Sequence, residues 1–285
     1  MTHAWMPSSP CGDGCHSDPE RRAGAALVAF RYASVVTTVV AAAVLPAAAL
    51  LPSRWRRGVH RRHARIALRA LGVRLQVRDE RGPSEPGRGV LAVAGHVSWL
   101  DILVLNAVES GDYVARADLL DWPLLGSLAR RARVVPIDRG RLRELPGVVD
   151  EAAERLRTGA RVVAFPEGTT WCGRAFGRLR PALFQAAVDS GAVVEPVELR
   201  YLRADGTAET GVCFVGDQTL VASLRRTVRL RGVLAEVRRG PLQEPGADRR
   251  ELAARCERLV HGGRSRAREA DVLLGAARTR REPVA

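Results

Sequence analysis

Hydrophobic and polar residues alternate in blocks that predict strands and helices in turn from Val73 onward. Short runs of aliphatic and β-branched residues predict the strands, and apolar residues at helical spacing predict the helices between them. The predicted strands cover residues 73–78, 90–94, 112–115, 133–137, 161–165, 193–199, 212–215 and 232–238. The predicted helices cover residues 99–109, 122–131, 144–157, 180–189 and 248–261. This alternation predicts an α/β fold, a strand–helix sandwich around a largely parallel sheet.

The N-terminal part of the chain has a different pattern. Residues 1–22 are rich in Pro, Ser, Gly and Asp without periodicity, which predicts a disordered tail. From Tyr32 to Leu51 the chain is uncharged for 20 residues, long enough to cross a bilayer. Much of this run is alanine, and Pro46 would kink a helix. A transmembrane helix, a re-entrant or interfacial anchor and a signal peptide are the alternatives.

An arginine-rich segment follows the apolar run and argues against export. Its arginines, with no acidic residue before Asp79, are Arg54, Arg56, Arg57, Arg61, Arg62, Arg65 and Arg69. By the positive-inside rule such a segment stays in the cytoplasm, whereas a cleaved signal peptide would carry it across. We therefore predict that residues 23–71 are a membrane-associated helical segment at the cytoplasmic face of the cell membrane.

Residues 54–71 are predicted to form a basic amphipathic helix. The apolar side chains along one face of this helix are Trp55, Val59, Ile66 and Ala70. Such a helix can rest on anionic lipid headgroups, or its apolar face can pack against the domain that follows. Both arrangements are compatible with the sequence, and an anionic membrane surface is the expected partner.

Length and charge limit the possible functions. At 285 residues the chain can hold one α/β domain with terminal additions. We assign that domain to residues 72–262, followed by an arginine-rich tail at 263–285 whose role the sequence does not indicate. The formal net charge is +14, and all 45 basic residues are arginine. This charge suits anionic lipid or phosphate-bearing substrates. Nucleic acid is not expected as a partner, because the sequence has no zinc-finger spacing, basic zipper or RNA-recognition motif.

Five cysteines are scattered along the chain, at positions 11, 15, 172, 213 and 256. The sequence Cys11-x-x-x-Cys15-His16 resembles one half of a metal site, but no second pair of cysteines completes it. We therefore expect reduced, unpaired thiols in a cytoplasmic protein and no metal requirement.

A histidine and a carboxylate occur together in the sequence Gly95–Asp101, here called the histidine motif. A predicted strand ends before Gly95, and Ser98 is a good N-cap for the predicted helix after it. His96 and Asp101 would lie on different faces of a continuous helix, because each residue turns about 100°. They can meet if His96 lies in the loop and Asp101 in the first helical turn.

Such a pair is suited to general-base chemistry, because the carboxylate fixes the tautomer and stabilises the imidazolium that forms. There is a structural alternative, in which Asp101 only satisfies the helix N-terminus, since Ser98-x-x-Asp101 resembles a capping box. His96 would then be an ordinary loop histidine.

A second polar turn follows a later predicted strand. The strand at 161–165 runs into Pro166, and Glu167, Gly168 and Thr169 then form a polar turn. We call residues 165–169 the glutamate motif. Ligands of α/β sheets bind at the carboxyl ends of strands, so this turn is expected to contribute to the same site as the histidine motif.

Together the two motifs resemble those of the glycerolipid acyltransferases related to 1-acylglycerol-3-phosphate acyltransferase. Two further blocks match in the family order, residues 123–139, which end in Ile-Asp-Arg at Arg139, and residues 193–197 around Pro196. The resemblance covers residues 90–200 and implies an O-acyltransferase of the glycerolipid type. The residues that it implies for acceptor binding are Arg139, Glu167, Gly168 and Thr169.

The resemblance implies transfer of a fatty acyl group from a thioester, acyl-CoA or acyl carrier protein, to the hydroxyl of a lysolipid in phospholipid biosynthesis. The first expected acceptor is 1-acylglycerol-3-phosphate. His96 would take the proton from the hydroxyl and return it to the leaving thiolate, while Asp101 orients the ring. No Ser or Cys beside a base offers a nucleophile, so direct transfer in a ternary complex is favoured, with no cofactor.

Two positions depart from the family pattern. Gly95 stands where a polar residue is usual, and Thr170 stands where an arginine linked to the acceptor phosphate commonly follows the glutamate motif. A different lysolipid, such as a lyso-aminolipid, is therefore an alternative acceptor. The arginines that could reach the same phosphate are Arg174, Arg178 and Arg180.

Two functions from other classes also fit the sequence. One is a hydrolase that uses His96 and Asp101 on water. The other is a non-catalytic protein that binds a membrane or nucleic acid through residues 54–71, and the presence of both His96 and Asp101 argues against it.

Overall fold

The computed structural model describes residues 7–16, 22–44, 53–83, 85–122, 126, 130, 133–138 and 140–262. Its strands are β1 (Arg74–Asp79), β2 (Val90–Ala94), β3 (Asp112–Arg116), β4 (Val135–Ile137), β5 (Arg161–Ala164), β6 (Val193–Leu202) and β7 (Leu234–Arg239). They form a seven-stranded sheet in the order β1-β7-β6-β2-β5-β3-β4. The pair β6–β7 is antiparallel and the other pairs are parallel. The predicted α/β class with a largely parallel sheet is therefore confirmed.

Helices cover both faces of the sheet. They are α1 (Ala25–Val44), α2 (Ser53–Leu71), α3 (Leu100–Val108), α4 (Leu145–Arg157), α5 (Phe184–Ser190), α6 (Leu220–Thr227) and α7 (Arg249–Val260). On one face, Leu68 of α2 and Leu100 of α3 are buried in a common apolar cluster. On the other face, a second cluster contains Leu156, Phe184 and Leu252 from α4, α5 and α7. Because both faces are covered, the central strands β2 and β5 are apolar almost throughout.

A buried cluster of charged side chains lies at the end of the sheet where β5 begins, whereas the two motifs lie at the end where β2 and β5 finish. Glu195 of β6 is fully buried and accepts hydrogen bonds from Arg239 Nε at 2.6 Å and from Arg161. Arg161 is the first residue of β5, whereas the glutamate motif follows the last. Burial is the largest influence and raises the pKa of Glu195, but the charges of Arg161 and Arg239 outweigh it and lower this pKa to about 2. One ionised carboxylate on β6 therefore pairs with an arginine on its neighbour β7 and, across β2, with an arginine on β5.

Two parts of the secondary-structure prediction are wrong. Residues 212–215 do not form a strand, because Thr210–Val212 is a 3₁₀ turn and Phe214 donates its N–H to Val97 O at 2.9 Å. Helix α6 was not predicted, although Thr219 caps it by accepting a hydrogen bond from Ala222 N. The helix predicted at 122–131 falls mostly outside the described residues, and Arg139 lies outside them as well.

Residues 7–16 belong to the tail predicted to be disordered, and for them that prediction is wrong. The side chains of Cys11 and Cys15 are buried in the apolar cluster beside α2 and α3. The 3₁₀ turn Asp13–Cys15 is closed by Cys15 N, which donates to Gly12 O at 2.9 Å. The average composition of residues 1–22 hides these two thiols, which behave as small apolar side chains and bury readily.

Helix α1 begins before the uncharged run on which the membrane prediction rests. It includes Arg31, which is buried and donates to Val228 O at 2.8 Å and to Leu230 O at 2.6 Å. None of the helices in the described residues is both long and apolar enough to span a bilayer. Residues 45–51 of the run, and residue 52 after it, lie outside the described ranges.

Helix α2 has two apolar faces. Ala64, Leu68 and Leu71 are buried against the domain. Trp55 and Ile66, which belong to the face predicted from the sequence, are 61% and 46% exposed. The helix therefore packs on the domain and also presents apolar side chains to its surroundings.

Candidate active site

The histidine motif joins the end of β2 to the start of α3 and brings its two polar side chains together. His96 lies in the loop, and Asp101 is in the first turn of α3. His96 Nδ1 and Asp101 Oδ2 are 2.8 Å apart. The predicted pairing of the two side chains is therefore confirmed.

Asp101 is fully buried and has several donors besides the imidazole. Its Oδ2 accepts hydrogen bonds from Val97 N at 2.7 Å and from Ser98 N at 3.0 Å. The same oxygen thus orders the loop before α3 and contacts the His96 ring. The two alternatives drawn from the sequence, an orienting carboxylate and a helix-terminal acceptor, are both present. Trp99 rather than Ser98 occupies the N-cap position.

Tyr201 is a member of the site that sequence reasoning missed. Its hydroxyl donates to Asp101 Oδ1 at 2.7 Å, and both side chains are buried. Burial raises the pKa of Tyr201 well above its usual value, and the negative charge of Asp101 raises it further. The phenol therefore stays protonated and acts as a donor to the carboxylate. The only signal in the sequence was a tyrosine near the end of β6.

The imidazole of His96 is fixed on two sides. Its Nδ1 faces Asp101 Oδ2, which accepts hydrogen bonds, so Nδ1 is placed as the donor and Nε2 is left as the basic nitrogen. The ring stacks on Phe165, with the ring centroids 4.2 Å apart. The side chain is 16% exposed, whereas that of Asp101 is 0% exposed. A basic nitrogen at the edge of a hydrogen-bonded histidine–carboxylate pair can accept a proton from a bound hydroxyl.

Glu167 of the glutamate motif holds the backbone of the histidine motif. Its Oε2 accepts from His96 N at 2.6 Å, and its Oε1 accepts from Gly177 N at 2.9 Å. The side chain is buried, and Oε1 is 4.0 Å from His261 Nε2. These contacts make Glu167 a positioning residue for His96. Its implied contact with the acceptor stays a prediction.

Hydrogen bonds also fix the glutamate motif and the two residues after it, one of them to the histidine motif. Trp171 N donates to His96 O at 2.7 Å, and the hydroxyl of Thr170 donates to Phe214 O. Gly168 adopts a φ of +75°, which favours glycine, and its N–H donates to Phe165 O at 3.0 Å. This N–H is therefore used inside the turn, and the structure does not identify an oxyanion donor there.

The residues implied to bind the acceptor are only partly placed by the structure. Glu167, Gly168 and Thr169 lie at the carboxyl end of β5, next to His96, and Thr169 is half-buried. Arg174, Arg178 and Arg180 are exposed in the following loop. Of these arginines, Arg180 lies next to the glutamate motif. A Cβ atom added to Gly168 would be 3.7 Å from Arg180 Cδ. Arg139 lies outside the described residues.

The sequence is similar to known acyltransferases. The sequence model of the Acyltransferase family matches residues 74–200. A lyso-ornithine lipid O-acyltransferase from Pseudomonas aeruginosa is 35% identical over 180 residues, 61% of this chain and 67% of that protein. A 1-acyl-sn-glycerol-3-phosphate acyltransferase from Neisseria meningitidis is 36% identical over 172 residues, 58% of this chain and 67% of that protein.

The fold also matches a solved structure. The crystal structure of the 1-acyl-sn-glycerophosphate (LPA) acyltransferase from Thermotoga maritima superposes with a TM-score of 0.63 at 18% identity. The match covers 91% of this chain and 97% of the other. At this identity the likeness concerns the fold.

Proposed function

The chain belongs to the Acyltransferase family, and from that premise we propose that it transfers a fatty acyl group from a thioester donor to the hydroxyl of a lysolipid. The observation that carries the proposal is the buried His96–Asp101 pair at the carboxyl end of β2, with Nε2 as its basic nitrogen. The proposed class is an O-acyltransferase of the glycerolipid type in phospholipid biosynthesis, without a cofactor in the transfer step.

The proposed mechanism needs one base and no covalent enzyme intermediate. His96 Nε2 takes the proton of the acceptor hydroxyl as its oxygen attacks the thioester carbonyl. The tetrahedral intermediate then collapses, the carbon–sulfur bond breaks, and the imidazolium returns the proton to the leaving thiolate. Asp101 stabilises the imidazolium between these steps, and Tyr201 and two backbone N–H groups hold that carboxylate.

The proposed acceptor is 1-acylglycerol-3-phosphate. Its phosphate would bind to Arg139, whose planar guanidinium suits phosphate oxygens. The glutamate-motif turn, Glu167, Gly168 and Thr169, would line the same acceptor site, since it lies beside His96. Arg180 is a further candidate for the phosphate because it lies next to Gly168. Acyl-CoA and acyl carrier protein are both retained as donors.

A lyso-aminolipid such as a lyso-ornithine lipid is the second candidate acceptor. Thr170 takes the place of the arginine usual after the glutamate motif, and its hydroxyl is bonded to Phe214 O in the loop. Relatives named for the two acceptors match this chain at similar identity, 35% and 36%. Overall identity therefore does not discriminate between a phosphate and an aminolipid head group.

We also propose that the protein works at the cytoplasmic face of the cell membrane. This rests on apolar side chains that α1 and α2 leave exposed, together with the arginines of α2. The exposed apolar side chains are Phe30, Val36, Val40, Trp55 and Ile66.

Replacing both Trp55 and Ile66 by alanine should weaken binding to anionic vesicles at all salt concentrations, whereas high salt should weaken only the arginine contribution. Val221→Ala, an exposed valine on α6, is the matched control. Equal vesicle binding by the double variant and the control would contradict the placement.

One assay separates the proposed function from its rivals. The purified protein is given one labelled acyl thioester and a panel of lysolipids, and diacyl product and free fatty acid are both measured. The proposal expects diacyl product, lost by a factor of ~10²–10⁴ in His96→Ala. Free fatty acid without diacyl product would identify a hydrolase. An unchanged rate in a folded His96→Ala variant would exclude the mechanism.

A further inference from the structure

Three thiols from distant parts of the chain meet in the core beside the glutamate motif. Cys11 and Cys15 come from the N-terminal segment 7–16, and Cys172 comes from the loop that follows the motif. Their sulfur atoms all lie within 4.8 Å of one another. The three residues are 5%, 6% and 1% exposed.

The local structure brings the first two thiols together. Cys11 precedes a 3₁₀ turn that ends at Cys15, and the closing hydrogen bond of this turn runs from Cys15 N to Gly12 O. A pair of cysteines with this short spacing is one half of many structural zinc sites. The sequence offers no second pair, but the fold supplies a distant third cysteine in Cys172.

The distances suit a small metal ion. Tetrahedral zinc with Zn–S bonds of about 2.3 Å places its sulfur ligands about 3.8 Å apart. Movements of about 1 Å would bring three sulfurs that are within 4.8 Å of one another to this spacing. The burial of all three residues fits a closed structural site, from which water is excluded.

Two candidates for a fourth ligand lie in the same part of the core, Cys213 in the apolar cluster that holds the three thiols and His16 next to Cys15 in the chain. Cys213 is fully buried in the same apolar cluster, and its Sγ is 3.3 Å from His16 Nδ1. His16 Nδ1 is also 3.3 Å from Thr210 O, which can only accept, so Nδ1 is placed to carry the proton. The lone pair is then on Nε2, a buried atom that has no hydrogen-bond partner among the described residues. A carbonyl on Nδ1 and a free Nε2 are the usual surroundings of a metal-binding histidine.

We propose that Cys11, Cys15 and Cys172 bind one structural Zn²⁺ ion, with Cys213 or His16 as the fourth ligand. Each thiol gives up its proton to solvent when the ion binds. Buried thiols can also serve as small apolar side chains, as Cys256 does in the opposite cluster. That explanation does not require three sulfurs from two distant segments to converge on one point.

The ion would fasten the N-terminal segment to the loop that supports the catalytic histidine. Trp171, the neighbour of Cys172, donates its backbone N–H to His96 O at 2.7 Å. Pro7 of the N-terminal segment packs against Gly168. A Cβ atom added to Gly168 would be only 2.7 Å from Pro7 Cγ. The proposed ion takes no part in acyl transfer, and the proposal stands whether or not the acceptor is correctly named.

The test is the metal content of the full-length protein, produced with added zinc and purified in detergent without chelators. Elemental analysis should find one zinc per chain. Replacement by cobalt should give the thiolate-to-cobalt charge-transfer absorption of a tetrahedral thiolate site. This spectrum is read on the unaltered protein, so it does not depend on whether a cysteine variant folds.

Variants then assign the ligands. Cys172→Ser should lose the zinc, while Cys256→Ser, a buried cysteine in α7, should keep it. Cys213→Ser or His16→Gln should weaken zinc retention against a chelator, and no effect from either would overturn the fourth-ligand assignment. Sub-stoichiometric zinc in the unaltered protein with all five thiols open to alkylation after denaturation would overturn the site. A disulfide among Cys11, Cys15 and Cys172 in freshly purified protein would overturn it as well.

Discussion

The substitution Asp101→Asn separates the two roles of this residue. Asparagine keeps the shape of the side chain and one carbonyl oxygen, so it can still accept from Val97 N and Ser98 N, which now bond to Oδ2. The hydroxyl of Tyr201 can rotate and accept from the new amide instead of donating. The change thus preserves the hydrogen bonds at the start of α3 and removes the negative charge beside His96.

Losing that charge should have a large effect on the rate of acyl transfer and a moderate effect on the free energy of unfolding. With His96 Nδ1 at 2.8 Å from Asp101 Oδ2, the centres of charge of an imidazolium–carboxylate pair lie about 4 Å apart. At an effective dielectric constant of about 20 their attraction is about 4 kcal/mol. Removing it from a transition state that contains the imidazolium predicts a rate lower by about 10³. The free energy of unfolding should fall by only about 1–3 kcal/mol, since the hydrogen bonds lose their charge assistance but remain.

The assay is transfer of a labelled acyl group to lysophosphatidic acid by the single variants Asp101→Asn and His96→Ala and by the double variant. If Asp101 acts through His96, the double variant should be no slower than His96→Ala. Circular dichroism and denaturant unfolding control for folding. A folded Asp101→Asn protein with near-normal turnover would mean that Asp101 only orders the helix start. Additive losses in the double variant would mean that the two residues act separately.

Three further predictions test the surroundings of this pair. Tyr201→Phe removes a hydrogen bond to a buried carboxylate and should lower the free energy of unfolding by about 1.5–3 kcal/mol, with a smaller loss of kcat than Asp101→Asn; an unchanged denaturant midpoint would contradict this. Arg139→Ala should raise KM for lysophosphatidic acid more than for an uncharged lysolipid, and Thr170→Arg should shift acceptor preference toward lysophosphatidic acid. Equal effects of Arg139→Ala on both acceptors would mean that the phosphate binds elsewhere. The pKa of Glu195 is lowered from 4.5 to about 2, so its contribution to stability, on the order of 3 kcal/mol, is present above pH 4.5 and should be lost as the pH falls toward 2. Between pH 6 and 3, the free energy of unfolding measured with urea should therefore change less with pH in Glu195→Gln than in the unaltered protein.

The sequence predicted those parts of the site that depend on local order. The spacing of His96 and Asp101 could be interpreted because the strand, the glycine and the helix start lie within one short segment. The carboxyl-end rule for parallel strands placed the glutamate motif in the same region, and the bond from His96 N to Glu167 agrees with it. In both cases a short-range pattern and one general rule of α/β sheets were sufficient.

Contacts between distant segments could not be predicted in the same way. Tyr201 reaches Asp101 only because β6 lies next to β2 in the sheet, and the order of strands does not follow from the hydrophobic pattern. The prediction of a strand at 212–215 was wrong for a related reason. An apolar run alone does not show whether its backbone pairs with the sheet or forms a loop. There the N–H of Phe214 bonds to Val97 O, in the histidine motif itself.

The contacts of the glutamate motif bear on how acceptor specificity should be sought. Both carboxylate oxygens of Glu167 and the N–H of Gly168 bond to the protein's own backbone or loop, and the hydroxyl of Thr170 does so too. Changing these residues would therefore disturb His96 as well as any acceptor contact, and would lower kcat together with affinity. Arg180 lies at the exposed rim of the loop, with its side chain beside Gly168. Substitutions there and at Arg139 are expected to change KM between acceptors with little change in kcat. Comparing them with Glu167→Gln would then distinguish residues that recognise the head group from residues that hold the base.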